Sequence, residues 1–269
     1  MFQDKQIMII IKISILIFIV LVSVLLFNIL KNRQLTQEID KKEPVLSLTT
    51  DSNIFKVSSV FLYSSANALN NSEMQSDYWD LNLYQYTDMA ISIDGLTQKN
   101  TIKEMYIDNI SYPSSPKQGN PVLYYKEADY LGRGIIDKEN VVSKKLDFNV
   151  ISSNDYEPTE PSFYADCSNP ILLSSINKEI VPNFTIRNTN SAITFDGSLL
   201  LDADVLVSNI EYSISFSIHI INHLDEEYVC NLTVPIKLRD SSDIDTIYDG
   251  SYTVTLDNLS SNRFYKLES

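Results

Sequence analysis

The sequence predicts a mainly β protein: a single N-terminal transmembrane helix followed by one or two antiparallel β-sandwich modules of immunoglobulin-like size. Three observations predict it. One apolar run near the N-terminus is long enough to span a bilayer. Period-two alternation of apolar and polar residues recurs in the chain that follows it. No stretch after residue 44 carries a persuasive amphipathic helical period.

The membrane segment is residues 7–30, IMIIIKISILIFIVLVSVLLFNIL, with Lys12 as its one charge. From Ile13 to Leu30 there are 18 uncharged residues, which just meets the span requirement. Lys12 can snorkel to the headgroups and bring Ile7 to Ile11 into the span. A cleavable signal peptide needs a shorter apolar region that ends in a small-x-small site. Here the run exits through Phe27, Asn28, Ile29, Leu30, Lys31, Asn32 and Arg33, with no such site and no cysteine for a lipid. Residues 1–30 are therefore expected to be an uncleaved anchor, and residues 31–44, KNRQLTQEIDKKEP, a charged stalk.

Orientation rests on two opposed signals. Lys5 and Lys12 precede the span while Lys31, Arg33, Lys41 and Lys42 follow it, so a strict positive-inside count leans toward a cytoplasmic domain. The domain itself is basic-poor and rich in Ser, Thr, Asn and Tyr, as exported β domains often are. The expected location is the cell membrane, single-pass, with the C-terminal domain extracytoplasmic. Five N-x-Ser/Thr sequons begin at Asn70, Asn109, Asn183, Asn231 and Asn258. So Asn-, Ser- and Thr-rich a chain has about that many by chance, and they carry no weight.

Composition bounds the partners. The 269 residues are 44% hydrophobic and 10% aromatic, with 16 Tyr, 11 Phe and only 6 Gly, which is globular rather than disordered. Abundant Ile and Asn with scarce Gly read as an AT-rich, bacterial coding sequence. The formal net charge is −14. Asp4, Lys5 and Lys12 make the segment up to Leu30 +1, which leaves −15 on the remainder. Such a surface stays soluble and excludes nucleic acid as a partner, since phosphate contacts need Lys and Arg. The partners expected are the membrane, through residues 7–30, and a protein or carbohydrate ligand on the β domain.

Two turn-rich segments interrupt the domain. One is SYPSSPKQGNP at 111–121, and the other is SSNDYEPTEPS at 152–162. Taking the second as a linker or loop gives a β-rich module at 45–151 and a β-sandwich module at 163–269, each the size of a small sandwich of about 100 residues. Within the first, Trp79, Leu81, Leu83, Met89, Ile91 and Ile93 alternate with Asp80, Asn82, Asp88, Ser92 and Asp94. This run is long for one strand, so a bend is expected near 85–87. Within the second, Tyr212, Ile214, Phe216, Ile218 and Ile220 alternate with Ser213, Ser215, Ser217 and His219. Tyr228, Cys230, Leu232, Val234, Ile236 and Leu238 share a face of the next strand, with Pro235 off that face as an edge or bulge signal. Residues 222–227 read as the hairpin loop between them. Tyr252, Val254 and Leu256 give a last short strand.

No catalytic or cofactor motif emerges, and the expected class is noncatalytic, without a metal or cofactor. His219 and His223 lie on a strand-like segment, where four residues span about 13 Å; they read as ordinary surface histidines. There is no nucleophile elbow for a His-based triad. Asp202 with Asp204, and the run 240–245 followed by Asp249 and Gly250, read as solvated turns, because an EF-hand would need its glycine and closing glutamate elsewhere. Cys167 and Cys230 are a possible disulfide outside the membrane, with a buried thiol equally able to explain Cys230 on its apolar face. Tyr84 and Tyr86 fall on the polar face, two residues apart, and are the candidate ligand-binding pair: exposed aromatics stack on sugars or form interface hot spots.

The expected role is therefore adhesion, ligand binding or envelope scaffolding. The alternative is a subunit of a membrane-associated assembly for secretion, division or a pilus-like complex, to which the Ile-rich helix and stalk point. An apolar N-terminal helix ahead of a β domain resembles the layout of pilin-like proteins. The glycine before the helix and the glutamate a few residues into it, which mark that family, are both absent here.

Overall fold

The computed structural model describes residues 54–72, 77–95, 102–125, 141–152, 161–188, 198–238, 245, 247–248, 250–257, 259 and 262–267. The expected anchor at 1–30 and stalk at 31–44 lie outside the described residues. Among the described residues no helix is long and apolar enough to cross a membrane. The described residues all belong to one compact unit, Leu46–Ser269.

The alternating stretches fold as long strands. In chain order these are β1 (Phe55–Asn70), β2 (Tyr78–Gly95), β3 (Ile102–Ser114), β4 (Asn120–Tyr125), β5 (Leu146–Ile151), β6 (Ser162–Tyr164), β7 (Ile171–Arg187), β8 (Tyr212–Asn222), β9 (Glu227–Ile236), β10 (Ser251–Leu256) and β11 (Tyr265–Lys266). Two short helices, α1 (Ser198–Asp202) and α2 (Val207–Ile210), bury Leu199, Leu200, Val207 and Ile210. They are too short to leave a helical period in the sequence.

Two sheets result. One has the order β10-β1-β2-β7-β4 and the other β11-β9-β8-β3-β5-β6. All pairings are antiparallel except β5 with β6. The fold is thus mainly β and sandwich-like, as the alternation predicts. The division at 152–162 works out differently. β1, β2 and β4 share a sheet with β7 and β10, and β3 and β5 share one with β6, β8, β9 and β11. Residues before and after 152–162 therefore complete the same two sheets. A Pro- and Ser-rich segment has the same composition whether it links domains or strands.

The inward faces are built as the pattern requires. In the register of β1, β2 and β7, Leu62, Met89 and Leu173 form one row, and Val60, Ile91 and Ile171 the next. The opposite sheet contributes Ile107, Phe216, Ile218 and Cys230. Burying each such side chain stabilises the fold by about 1.5–3 kcal/mol. The inward residues of β8 and β9 follow the predicted alternation, with Ile214 opposite Val234 and Ile218 opposite Cys230, while Ser217, His219 and Val229 on the other face are also buried. β11 pairs only Tyr228 and Val229 of β9. Pro235 therefore stands on a stretch of β9 with no second neighbour among the described residues, where its missing N–H costs least.

Where the sequence predicts a bend near 85–87, β2 continues as one strand of 18 residues; its register against β7 shifts between Leu83 and Gln85, and the inward row turns polar. Ser64, Thr87 and Ser175 form one inward row and Ala66, Gln85 and Asn177 the next. Gln85, Thr87, Ser175 and Asn177 are fully buried. Buried polar groups need partners. Ser64 Oγ bonds Thr87 Oγ1 at 2.8 Å, Gln85 Nε2 donates to Thr87 Oγ1 at 2.6 Å, and Ser175 Oγ bonds the Tyr212 hydroxyl of the other sheet at 2.6 Å. Asn177 Nδ2 donates to the Gln118 carbonyl at 3.0 Å. Gly119 beside it has φ +92°, and a Cβ there would stand 2.2 Å from Asn177 Oδ1, so only glycine lets this turn close on Asn177.

Candidate functional site

Among the described residues, the outer face of the six-stranded sheet gathers a connected set of polar and titratable side chains. The register puts Asp147 of β5, Tyr106 of β3, His219 of β8 and Val229 of β9 in one row across the strands. His219 is only 7% exposed, not a surface histidine as the sequence suggested. Its Nδ1 lies 2.8 Å from Glu227 Oε1 and its Nε2 lies 3.1 Å from Asp108 Oδ1. Donating at both nitrogens requires the imidazolium; a neutral ring can donate to only one of these carboxylates. The Tyr106 hydroxyl also donates to Glu227 Oε1, at 2.7 Å. The Tyr106 ring stacks on the imidazole at 4.3 Å with a 7° interplanar angle, and Lys145 Nζ sits 4.1 Å from its other face. Burial, then the Glu227 carboxylate, raise the Tyr106 phenol well above its ordinary range.

This geometry bears on chemistry. A general base needs a ring nitrogen free to take a proton from the substrate. Both nitrogens of His219 face carboxylates. Ser217, two residues before it on β8, donates to Asn231 Oδ1 at 2.8 Å and receives the Asn109 amide at 3.3 Å. Asp108 and Glu227 hold opposite edges of the ring and do not converge on one point. Accordingly, no group of three His, Cys, Asp or Glu side chains suited to a metal ion occurs among the described residues. His223, four residues on, is exposed in the β8–β9 turn. The sequence could not reveal this cluster: Asp108 lies 111 residues from His219.

Tyr84 and Tyr86 occupy the face expected of them, opposite Leu81 and Leu83, but they are not exposed. Each is 7% exposed. They belong to a second apolar cluster on the outer face of the five-stranded sheet, with Tyr124 and Ile176 and the half-buried Tyr63, Leu69 and Val122. The Tyr63 and Tyr86 rings are 6.3 Å apart. Alternation assigns a side chain to a face; it does not say whether that face is covered. A stacking ligand would find no open ring at either position.

The cysteines are free thiols. Cys230 faces inward from β9 with no exposure, opposite Ile218. Cys167 follows β6 at φ 59°, and its Sγ packs against Gly95 at the end of β2, in the other sheet. The possible disulfide between Cys167 and Cys230 is therefore not formed. Burial pushes the Cys167 thiol up to about 11 and the Cys230 thiol up to about 12, so both are poor nucleophiles at neutral pH. Asp202 and Asp204 end α1 and its following turn, exposed. Most of the acidic run at 240–245, and Asp249, lie outside the described residues.

No protein-family model, curated protein or solved structure matches this chain.

Proposed function

We propose that this chain is a membrane-anchored extracytoplasmic protein whose β unit has a noncatalytic role in adhesion, ligand binding or envelope scaffolding. The observation that carries the reading is the apolar run 7–30 followed, through a charged stalk, by one compact β unit from Leu46 to Ser269. The occupied nitrogens of His219 and the buried thiols support a role without catalysis. The acidic balance supports exclusion of nucleic acid. The Ile-rich helix with its stalk also favours a subunit of a membrane-associated assembly, in which the helix makes specific contacts.

Protease added to intact cells tests the location. Peptides from 46–269 are expected in the supernatant before lysis. Release of those peptides only after lysis would place the domain on the other side of the bilayer. Exchange of residues 7–30 for an unrelated single-pass helix separates the two roles: unimpaired function with the foreign helix counts against the assembly reading.

A further inference from the structure

Three side chains of complementary reactivity meet at the β8–β9 turn: Asn222 at the end of β8, Glu226 in the turn and Lys266 on β11. Asn222 closes β8 and is fully buried. Its Oδ1 accepts from the backbone N–H of Leu224 at 2.9 Å and of Glu226 at 3.0 Å. Its Nδ2 donates to Glu226 Oε2 at 2.9 Å. The other oxygen of that carboxylate, Oε1, accepts from Lys266 Nζ at 2.6 Å. Lys266 stands opposite Tyr228 on β11, so its side chain reaches across β9 toward β8. The Tyr228 hydroxyl donates to Glu226 Oε2 at 3.0 Å and fixes the carboxylate. The Tyr228 ring packs edge-to-face on Phe55 at 5.5 Å, and Phe55 on Phe264 at 5.9 Å.

Glu226 bridges an amine and a carboxamide, the groups that amide exchange requires. Two backbone N–H groups on Oδ1 polarise the carboxamide and are aimed where an oxyanion develops. An amine is the nucleophile, and a carboxylate holds the nucleophilic nitrogen with one oxygen and the departing nitrogen with the other. From this arrangement we infer that Lys266 and Asn222 join through an isopeptide bond between Nζ and Cγ, with Glu226 relaying protons and ammonia leaving. The ammonium of Lys266 gives a proton to Glu226 Oε1, and the freed lone pair attacks Cγ. The tetrahedral oxyanion faces the N–H groups of Leu224 and Glu226. A second proton leaves Nζ by way of the carboxylate, Nδ2 accepts protons, and the Cγ–Nδ2 bond breaks. An ammonium and a carboxamide thus become a secondary amide and an ammonium ion, with no oxidant or reductant. Hydrogen bonds from Lys266, Asn222 and Tyr228, in that order, hold the Glu226 carboxyl down at about 2, so it is ionised at neutral pH and bridges the two nitrogens as a carboxylate. The Lys266 and Glu226 side chains are 42% and 29% exposed, which leaves an exit for ammonia. Reaction once per chain suffices, since ammonia diffuses away.

The bond goes beyond the anchored, noncatalytic reading and gives the fold a covalent closure. β11 is two residues long and pairs with β9 alone. A link from Lys266 to Asn222 ties it across β9 to β8.

Mass spectrometry of the intact, denatured full-length chain tests this. The expected mass is lower than the sequence mass by one ammonia, and proteolysis yields a branched peptide joining Asn222 to Lys266. The Lys266→Arg and Asn222→Ala chains are expected at full mass. The Glu226→Gln chain, with a circular dichroism spectrum like the parent's, is expected to stay largely unlinked. A parent chain at full mass, with Lys266 in an ordinary linear peptide, overturns the inference. So does an ammonia loss that maps to Asn222 without a link to Lys266, as in a succinimide.

Discussion

Replacing Tyr84 and Tyr86 together by alanine is expected to unfold much of the domain rather than to remove a contact surface. Each ring is 7% exposed and packs with Tyr124 and Ile176. Truncating a buried aromatic to alanine costs about 3 kcal/mol or more, because the transfer energy is lost and a cavity remains. Two such losses approach the whole stability of a typical domain, about 5–15 kcal/mol. The two sites share Tyr63 and Ile176 as neighbours, so their costs are not expected to add simply. Urea titration of the single and double variants measures this. A double variant with the parental midpoint and weakened binding to cells would mean that the rings are open to solvent.

The second large effect is alkaline unfolding. Burial is the first cause that raises the phenols of Tyr212, Tyr112, Tyr228 and Tyr106. Tyr112 and Tyr228 are each pushed up to about 12, and the other two rise further. A native pKa above the unfolded value means that the unfolded chain ionises first as pH rises. The stabilising contribution is therefore complete below about pH 10, the ordinary tyrosine value, and is lost as pH climbs through the native values. A pKa difference of one between the two states is worth about 1.4 kcal/mol. The groups near solvent contribute less than this. Denaturant midpoints are expected to hold up to about pH 10 and then fall steeply, together with rising tyrosinate absorbance. Tyrosinate absorbance that rises while the fold remains intact would mean that these hydroxyls reach water in the native state.

How far the fold could be read in advance depended on where each residue's partners lie. The inward face of Tyr212 to Ile220 could be read directly, because its apolar residues alternate strictly with polar ones, although Ser217 and His219 on the outer face are covered as well. Gln85 and Thr87 concealed the continuity of β2, since their polarity looks like a break. They are inward residues bonded to Ser64 and to each other, and those partners are set by register. Tyr84 and Tyr86 were placed on the right face but given the wrong environment, because what covers a sheet is tertiary information. His219 was unreadable as a site: Asp108 becomes its neighbour only after β3 pairs with β8. The Lys266–Glu226–Asn222 constellation is equally nonlocal, with Lys266 40 residues beyond Glu226.

Alkaline carbonate extraction of membranes tests the central claim, an anchor on one compact β unit, most directly. The full chain is predicted to remain in the membrane pellet and to need detergent for release, while residues 46–269 alone stay in the supernatant with a β-type circular dichroism spectrum. Release of the full chain by carbonate would contradict the anchor, and failure of residues 46–269 to fold would contradict the independence of the β unit.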